Sequence, residues 1–455
     1  MESPDQLSAR ELSDLLRSNQ TTSVDLTRHF LERIETLNGD LHAVISTHPE
    51  ALQQASLLDE ERAAGHLRGP LHGIPVLVKD NIDVTSVPCT AGSIALKNHV
   101  PQEDAFLVQR LKAAGCIILG KTNLTEFANF MTIDMPNGYS SLGGQTVNFR
   151  LKGQDTGGSS SGSGVAVAAG LAPMAIGTET SGSIIHPANH SGVVGLKPTV
   201  GSISRRGVIP ISFSQDTAGP MTRTVEDAAM LYQVLAAHDP ADPQSRAVGA
   251  FRLPEIQPGM RIGVFRESFK LLTEEENGFL EQALQKLTEA GIALVDVEYR
   301  HPELSHQWRW EVLTHEFKEG LNKYLSTVTE GPRSMTELID FYDEHAEEGL
   351  RYGQVLLLAA NSTTGTLSNP AYNRSRKLDL LYSRDLGIDD LLREHQLEAL
   401  IYPKWYGYDV PAKAGYPSLT VPVGFREDGM GVNLTFTSTA WTEPLLLSLG
   451  LLLEK

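Results

Sequence analysis

Hydroxyl groups set between glycines occur twice between positions 157 and 183. The first run is Gly157-Gly-Ser-Ser-Ser-Gly-Ser163, and the second is Gly177-Thr-Glu-Thr-Ser-Gly-Ser183. A serine hydroxyl becomes a nucleophile when a base takes its proton. A glycine-rich turn lets successive backbone N–H groups converge on a developing oxyanion. Between the runs, residues 163–171 are rich in Ala and Val and suit a buried helix, whose first N–H groups have no partner within it. Gly182 supplies the bend that such convergence needs. On residue types alone, the pattern also fits a packing turn with surface serines.

Three shorter patterns suggest other chemistry, and each is poorly built for it. Gly115-Cys-Ile-Ile-Leu-Gly-Lys-Thr122 matches a phosphate-binding loop letter for letter. Its centre is an apolar, β-branched run that favours a buried strand over an open loop. His186 and His190 have the i, i+4 spacing of zinc ligands, but Pro187 interrupts the spacer and the sequence shows no third ligand. Gly158-Ser-Ser160-Ser-Gly162 contains the G-x-S-x-G of a nucleophile elbow, with Ser160 as nucleophile. An elbow must follow a strand, whereas residues 152–157 are polar and flexible.

The elements that must position these residues can be read from periodicity. Thr22 is placed to cap a helix with Leu26, Phe30, Ile34 and Leu37 on one face. Leu280, Ala283, Leu284 and Leu287 mark a second helix, ended by Gly291. Buried strands are expected at 74–78, 116–119, 174–176, 193–196, 262–265, 293–297 and 397–402. Helices fall between several of them, which predicts an α/β fold around a large sheet. Residues 304–390 are helix-rich and break the alternation, as an inserted cap over one end of the sheet would.

The chain has 455 residues, with 38 Lys and Arg against 56 Asp and Glu, a net charge of −18. That balance argues against nucleic-acid and anionic-membrane partners, which need a basic face. A composition 41% hydrophobic and 21% charged argues against a disordered chain. Two cysteines, Cys89 and Cys116, build no disulfide framework and fit a reducing compartment. The N-terminus lacks the apolar core of a signal peptide, and no run reaches the roughly 18 apolar residues of a membrane helix. A cytoplasmic protein is expected, with no internal repeat and one domain over 1–455.

The two serine loops, together with other segments in order, resemble the amidase signature family. The supporting segments are Gly73-Ile-Pro-Val-Leu-Val-Lys79-Asp-Asn, Leu119-Gly-Lys-Thr-Asn-Leu-Thr-Glu126, Gly195-Leu-Lys-Pro-Thr-Val-Gly201 and Ser214-Gln-Asp-Thr-Ala-Gly-Pro-Met221. The resemblance implies a large mixed β-sheet flanked by helices on both sides and a Ser-Ser-Lys triad. Carried over by motif, Ser183 is the nucleophile, Lys79 the base, and Ser159 the bridging serine after a cis peptide bond. Backbone N–H groups of Thr180, Ser181, Gly182 and Ser183 form the oxyanion hole, with Ser160 and Gly158 supporting. No cofactor and no metal are implied. Burial at the end of the 74–78 strand would help Lys79 lose its proton near neutral pH.

Many family members read Asp-Thr-Gly-Gly-Ser where this chain has Glu179-Thr-Ser-Gly-Ser183, and many carry Arg where it has Ile185. These departures point towards a bacterial peptide-amidase-like branch and away from the glutamine-using component of a tRNA amidotransferase. The expected substrate is a small neutral or aromatic amide, with carbamates and esters open to the same chemistry. Trp308, Trp310, Phe317, Phe341 and Tyr342, with residues 129–141, are candidate cleft residues. The expected state is a monomer or homodimer. Two alternatives remain: a non-catalytic binding protein that kept the fold, and the ammonia-producing, glutamine-hydrolysing component of a multisubunit amidotransferase.

Overall fold

The computed structural model describes residues 3–454. In chain order its first strands are β1 (Val44–Thr47), β2 (Pro75–Lys79), β3 (Ile117–Thr122), β4 (Tyr139–Ser140), β5 (Gly144–Gln145) and β6 (Met174–Glu179). There follow β7 (Val194–Lys197), β8 (Thr217–Thr222), β9 (Arg261–Val264), β10 (Ala293–Asp296), β11 (Ala399–Pro403), β12 (Ser418–Phe425) and β13 (Gly431–Thr437). β4 and β5 pair only with each other. The other eleven form one sheet in the order β1-β3-β2-β6-β8-β7-β12-β13-β11-β9-β10. β2 runs parallel to β3 and β6, and β9 runs parallel to β10 and β11. The remaining neighbours are antiparallel, so the sheet is mixed, as expected.

All seven expected strands form. β3 and β6 run three residues beyond their apolar stretches, because Gly120, Lys121 and Thr122 and then Gly177, Thr178 and Glu179 stay paired and buried. The apparent phosphate loop is therefore β3 itself, entered by a turn in which Gly115 has φ +81°. Gly120 is required there, since a Cβ would stand 2.2 Å from the Ser46 carbonyl oxygen of β1. β8 escapes periodicity because Gly219 and Pro220 read as a turn, yet all six of its residues are buried.

The two expected helices also form. Thr22 accepts from the Asp25 N–H at the start of Ser23–Leu41. Thr273 and Glu276 make a capping box on Glu274–Glu289, whose Leu280, Ala283, Leu284 and Leu287 are buried. The main core lies between the sheet and its helices and joins Phe30, Val76, Ile176, Leu196, Leu280 and Phe436. Residues 304–390 contribute helices and no strand among the described residues. A second apolar cluster joins Phe317, Leu321, Leu338 and Leu357 of that segment to Phe127, Phe130 and Met131.

Candidate active site

Lys79 ends β2 and is fully buried. Its Nζ lies 2.7 Å from Ser159 Oγ, 2.9 Å from Ser160 Oγ and 2.9 Å from Thr178 Oγ1. No carboxylate touches it among the described residues, so only neutral oxygens, and no opposite charge in contact, offset the loss of water around an ammonium. Burial pushes its proton affinity well below the ordinary lysine range, and the charges of Glu179 and Asp216 oppose this only in part.

The peptide bond from Gly158 to Ser159 is cis. A Cβ at Gly158 would stand 2.2 Å from Asn137 Oδ1, so a larger residue there would displace that side chain. Ser160 Oγ donates to the Thr178 carbonyl (3.0 Å) and accepts from the Thr178 N–H (3.2 Å), which pins the first loop to β6. No strand precedes the loop, and Ser160 faces β6, which excludes the elbow geometry. The Ser160 N–H donates to the Ser183 carbonyl at 3.1 Å and ties the loops together.

The second loop follows β6. Glu179 Oε2 accepts from the N–H groups of Ile184 (2.7 Å) and Ile185 (3.0 Å), so it anchors the Ile185–Ser191 helix just after Ser183. Gly182 has φ +81°, and a Cβ there would meet the Tyr408 ring at 2.9 Å. Thr180, Ser181, Gly182 and Ser183 donate their N–H groups to no acceptor among the described residues, which leaves them available to a ligand.

Motif reading did not single out the residues that brace this loop. Thr180 Oγ1 donates to Asp216 at 2.5 Å, and Gln215 donates to the Thr180 carbonyl at 3.2 Å. Asp216 also accepts from the Ile211 and Ser212 N–H groups, while burial raises its carboxyl to about 6. Both residues lie inside the Ser214–Met221 motif, so the signal was there without its role.

Ser183 opens on a cavity of about 440 Å³, which Thr180 and Ser181 also line. Its walls mix the apolar and aromatic Phe130, Ile133, Leu313, Leu356, Trp308, Trp310 and Tyr408 with the polar Asn129, Thr132 and Asn137, and hold no charged side chain. Trp308 and Trp310 are thus cleft residues, whereas three other expected aromatics are not. Phe317 packs edge-on behind Phe130 at 4.7 Å. Tyr342 is buried and donates to Glu126, and Phe341 stacks on His345. Helical spacing gave these side chains a common apolar character but could not say what lay opposite each.

His186 and His190 face each other on the Ile185–Ser191 helix, with ring centroids 4.6 Å apart. The sequence showed no third ligand. The fold brings up Asp155, and ligand atoms of all three residues lie within 4.8 Å of one another.

The fold and these loops define a serine-loop α/β enzyme architecture. The Amidase family model matches residues 25–404, and the chain belongs to that family. The solved structure of native peptide amidase from Stenotrophomonas maltophilia is 42% identical, covering 98% of this chain and 96% of that one, with a TM-score of 0.91. A probable amidase of Arabidopsis thaliana is 35% identical, covering 95% of this chain and 86% of that protein. A component of the glutamyl-tRNA(Gln) amidotransferase of Acinetobacter baumannii is 33% identical, covering 97% of this chain and 94% of that protein. The chain is an amidase-family hydrolase of carbon–nitrogen bonds. No helix among the described residues is long and apolar enough to cross a membrane.

Proposed function

We propose that this chain hydrolyses neutral amides with an apolar or aromatic acyl part, through an acyl-enzyme on Ser183. The carrying observation is a buried, charge-starved Lys79 at 2.7 Å from Ser159, beside a loop whose Ser183 opens on an uncharged cavity. Neutral Lys79 takes the Ser159 proton, Ser159 takes the Ser183 proton, and Ser183 Oγ bonds to the carbonyl carbon. Charge on the carbonyl oxygen is met by N–H groups from Thr180, Ser181, Gly182 and Ser183. As the C–N bond breaks, the proton returns along the same relay to the leaving nitrogen. Water then repeats the sequence and releases the acid.

The cavity walls support the substrate class. A free amino acid such as glutamine carries an ammonium and a carboxylate, and burying either without a charged partner is costly. The walls suit a peptide amide with apolar side chains, and esters and carbamates of similar shape. Trp308, Trp310, Leu313 and Leu356 come from residues 304–390, which in this reading cap the site.

Fluorophosphonate labelling followed by peptide mapping tests the assignment. Label on Ser183, lost or slowed in Lys79→Ala, is the expected result. Undiminished amide hydrolysis by Ser183→Ala would refute it.

A further inference from the structure

We infer that Asp155, His186 and His190 form a binding site for a divalent transition-metal ion such as Zn2+, bridging the approach to the first serine loop and the helix behind the second.

His190 shows the required proton arrangement. Its Nδ1 lies 2.9 Å from the Asp155 main-chain carbonyl oxygen, which can only accept. Nδ1 therefore carries the proton and Nε2 carries the lone pair. Nε2 is buried without a hydrogen-bond partner, on a residue only 9% exposed. A backbone-held imidazole that presents its other nitrogen is the usual outer support of a metal ligand. His186, one helical turn earlier, supplies a second imidazole, its ring centroid 4.6 Å from that of His190. Asp155 is exposed and supplies a carboxylate, while Asn137 (3.1 Å) and the Gly157 N–H (2.9 Å) fix its two oxygens.

Two imidazoles and a carboxylate suit a borderline-soft ion and leave a fourth position for water. A tetrahedral ion with bonds of about 2.0–2.1 Å needs donors about 3.4 Å apart. One ligand atom from each residue already lies within 4.8 Å of the others, and closing to bonding separation requires the Asp155 carboxylate to give up its bonds from Asn137 and the Gly157 N–H. Asp155 also lines a separate cavity of about 580 Å³, which gives the ion a path from solvent. The nearby cation Lys404 is paired with Glu276 at 2.7 Å, which reduces its repulsion of the ion. Asp155 stands two residues before Gly157, and His186 stands three after Ser183, so an ion here clips the two loops together from behind.

The test is titration of metal-stripped, untagged full-length protein with Zn2+ in a calorimeter, with melting temperature followed in parallel. The expected result is one equivalent bound with a dissociation constant on the order of 1 μM or below, and a raised melting temperature. Asp155→Asn and His190→Gln should each weaken binding at least tenfold; Asp155→Asn changes an exposed side chain and guards against a folding artefact. Ni2+ should quench the emission of Trp405, whose ring sits 4.7 Å from both imidazoles, and Trp405→Phe should remove that quenching. No saturable binding at 100 μM Zn2+, or binding unchanged in both ligand variants, overturns the proposal. These readouts do not depend on amide hydrolysis, so the site and the proposed reaction can fail separately.

Discussion

Two fully buried lysines sit on neighbouring strands, and they have opposite surroundings. Lys79 on β2 meets only hydroxyls and a carbonyl. Lys121 on β3, opposite Val78, meets the Asp80 carboxylate at 3.0 Å. Burial works against charge on both. Around Lys121 the acidic groups Cys89, Asp80 and Asp83 outweigh burial and raise its proton affinity, whereas around Lys79 burial wins. Lys197 on β7 falls between: burial lowers it to about 8, and it donates to the Tyr416 and Pro198 carbonyls. A carboxylate in contact thus separates a structural cation from a potential base, at equal depth in one sheet.

The largest expected effect comes from removing the uncharged lysine. Lys79→Met should keep the fold and lower kcat/KM for a neutral amide by about 10²–10⁴-fold, the usual worth of a positioned base. Steady-state kinetics and circular dichroism together check this, and full activity would end the distinction between the two lysines. Lys121→Met should do the reverse. It strands the buried Asp80 carboxylate and should cost about 3–5 kcal/mol of stability by denaturant titration. Adding Asp80→Asn should recover much of that loss, and an uncoupled double mutant would show that the pair is not the reason Lys121 stays charged.

The smallest effect is a shift in pH dependence. Lys79 in the folded chain titrates well below 10.5, so the unfolded chain binds more protons across that window. Its contribution to stability therefore rises with pH from the folded value towards 10.5, and with Lys79 as the proposed base, amide hydrolysis should rise as the lysine loses its proton. Glu179 pulls the Lys79 value upward. Glu179→Gln should accordingly move the alkaline-rising limb of kcat/KM to lower pH, by less than one unit. Glutamine keeps an oxygen for the Ile184 and Ile185 N–H groups, so a collapse of activity would mean Glu179 serves chiefly as an anchor.

Much of this arrangement was legible in the sequence. The loop segments stood out as part of several motifs in order, since glycine and serine alone also suit a packing turn, and strong apolar runs marked seven strands. β12 was missed because Pro422 and Gly424 interrupt it at a register shift, and β8 because Gly219 and Pro220 mimic a turn. Gly219 is needed there, since a Cβ would stand 2.1 Å from the Leu196 carbonyl oxygen of β7. The contacts that were not legible join distant segments. Asp155 reaches the Ile185–Ser191 helix, and Tyr408 lies against Gly182. Spacing carries no signal for such meetings, because each residue is ordinary within its own stretch.

The strand order has a consequence for how the chain is made. β7 is complete by Lys197, but its neighbour β12 begins at Ser418, and β13 then links that hairpin to β11. At about 5–20 residues per second, a ribosome needs roughly 10–40 s to travel between those strands. During that interval the nascent sheet has an open edge in what becomes its middle, the kind of edge that pairs with other chains. Synthesis speed and chaperone occupancy over residues 200–440 should therefore affect the yield of this enzyme in cells, independently of its final stability.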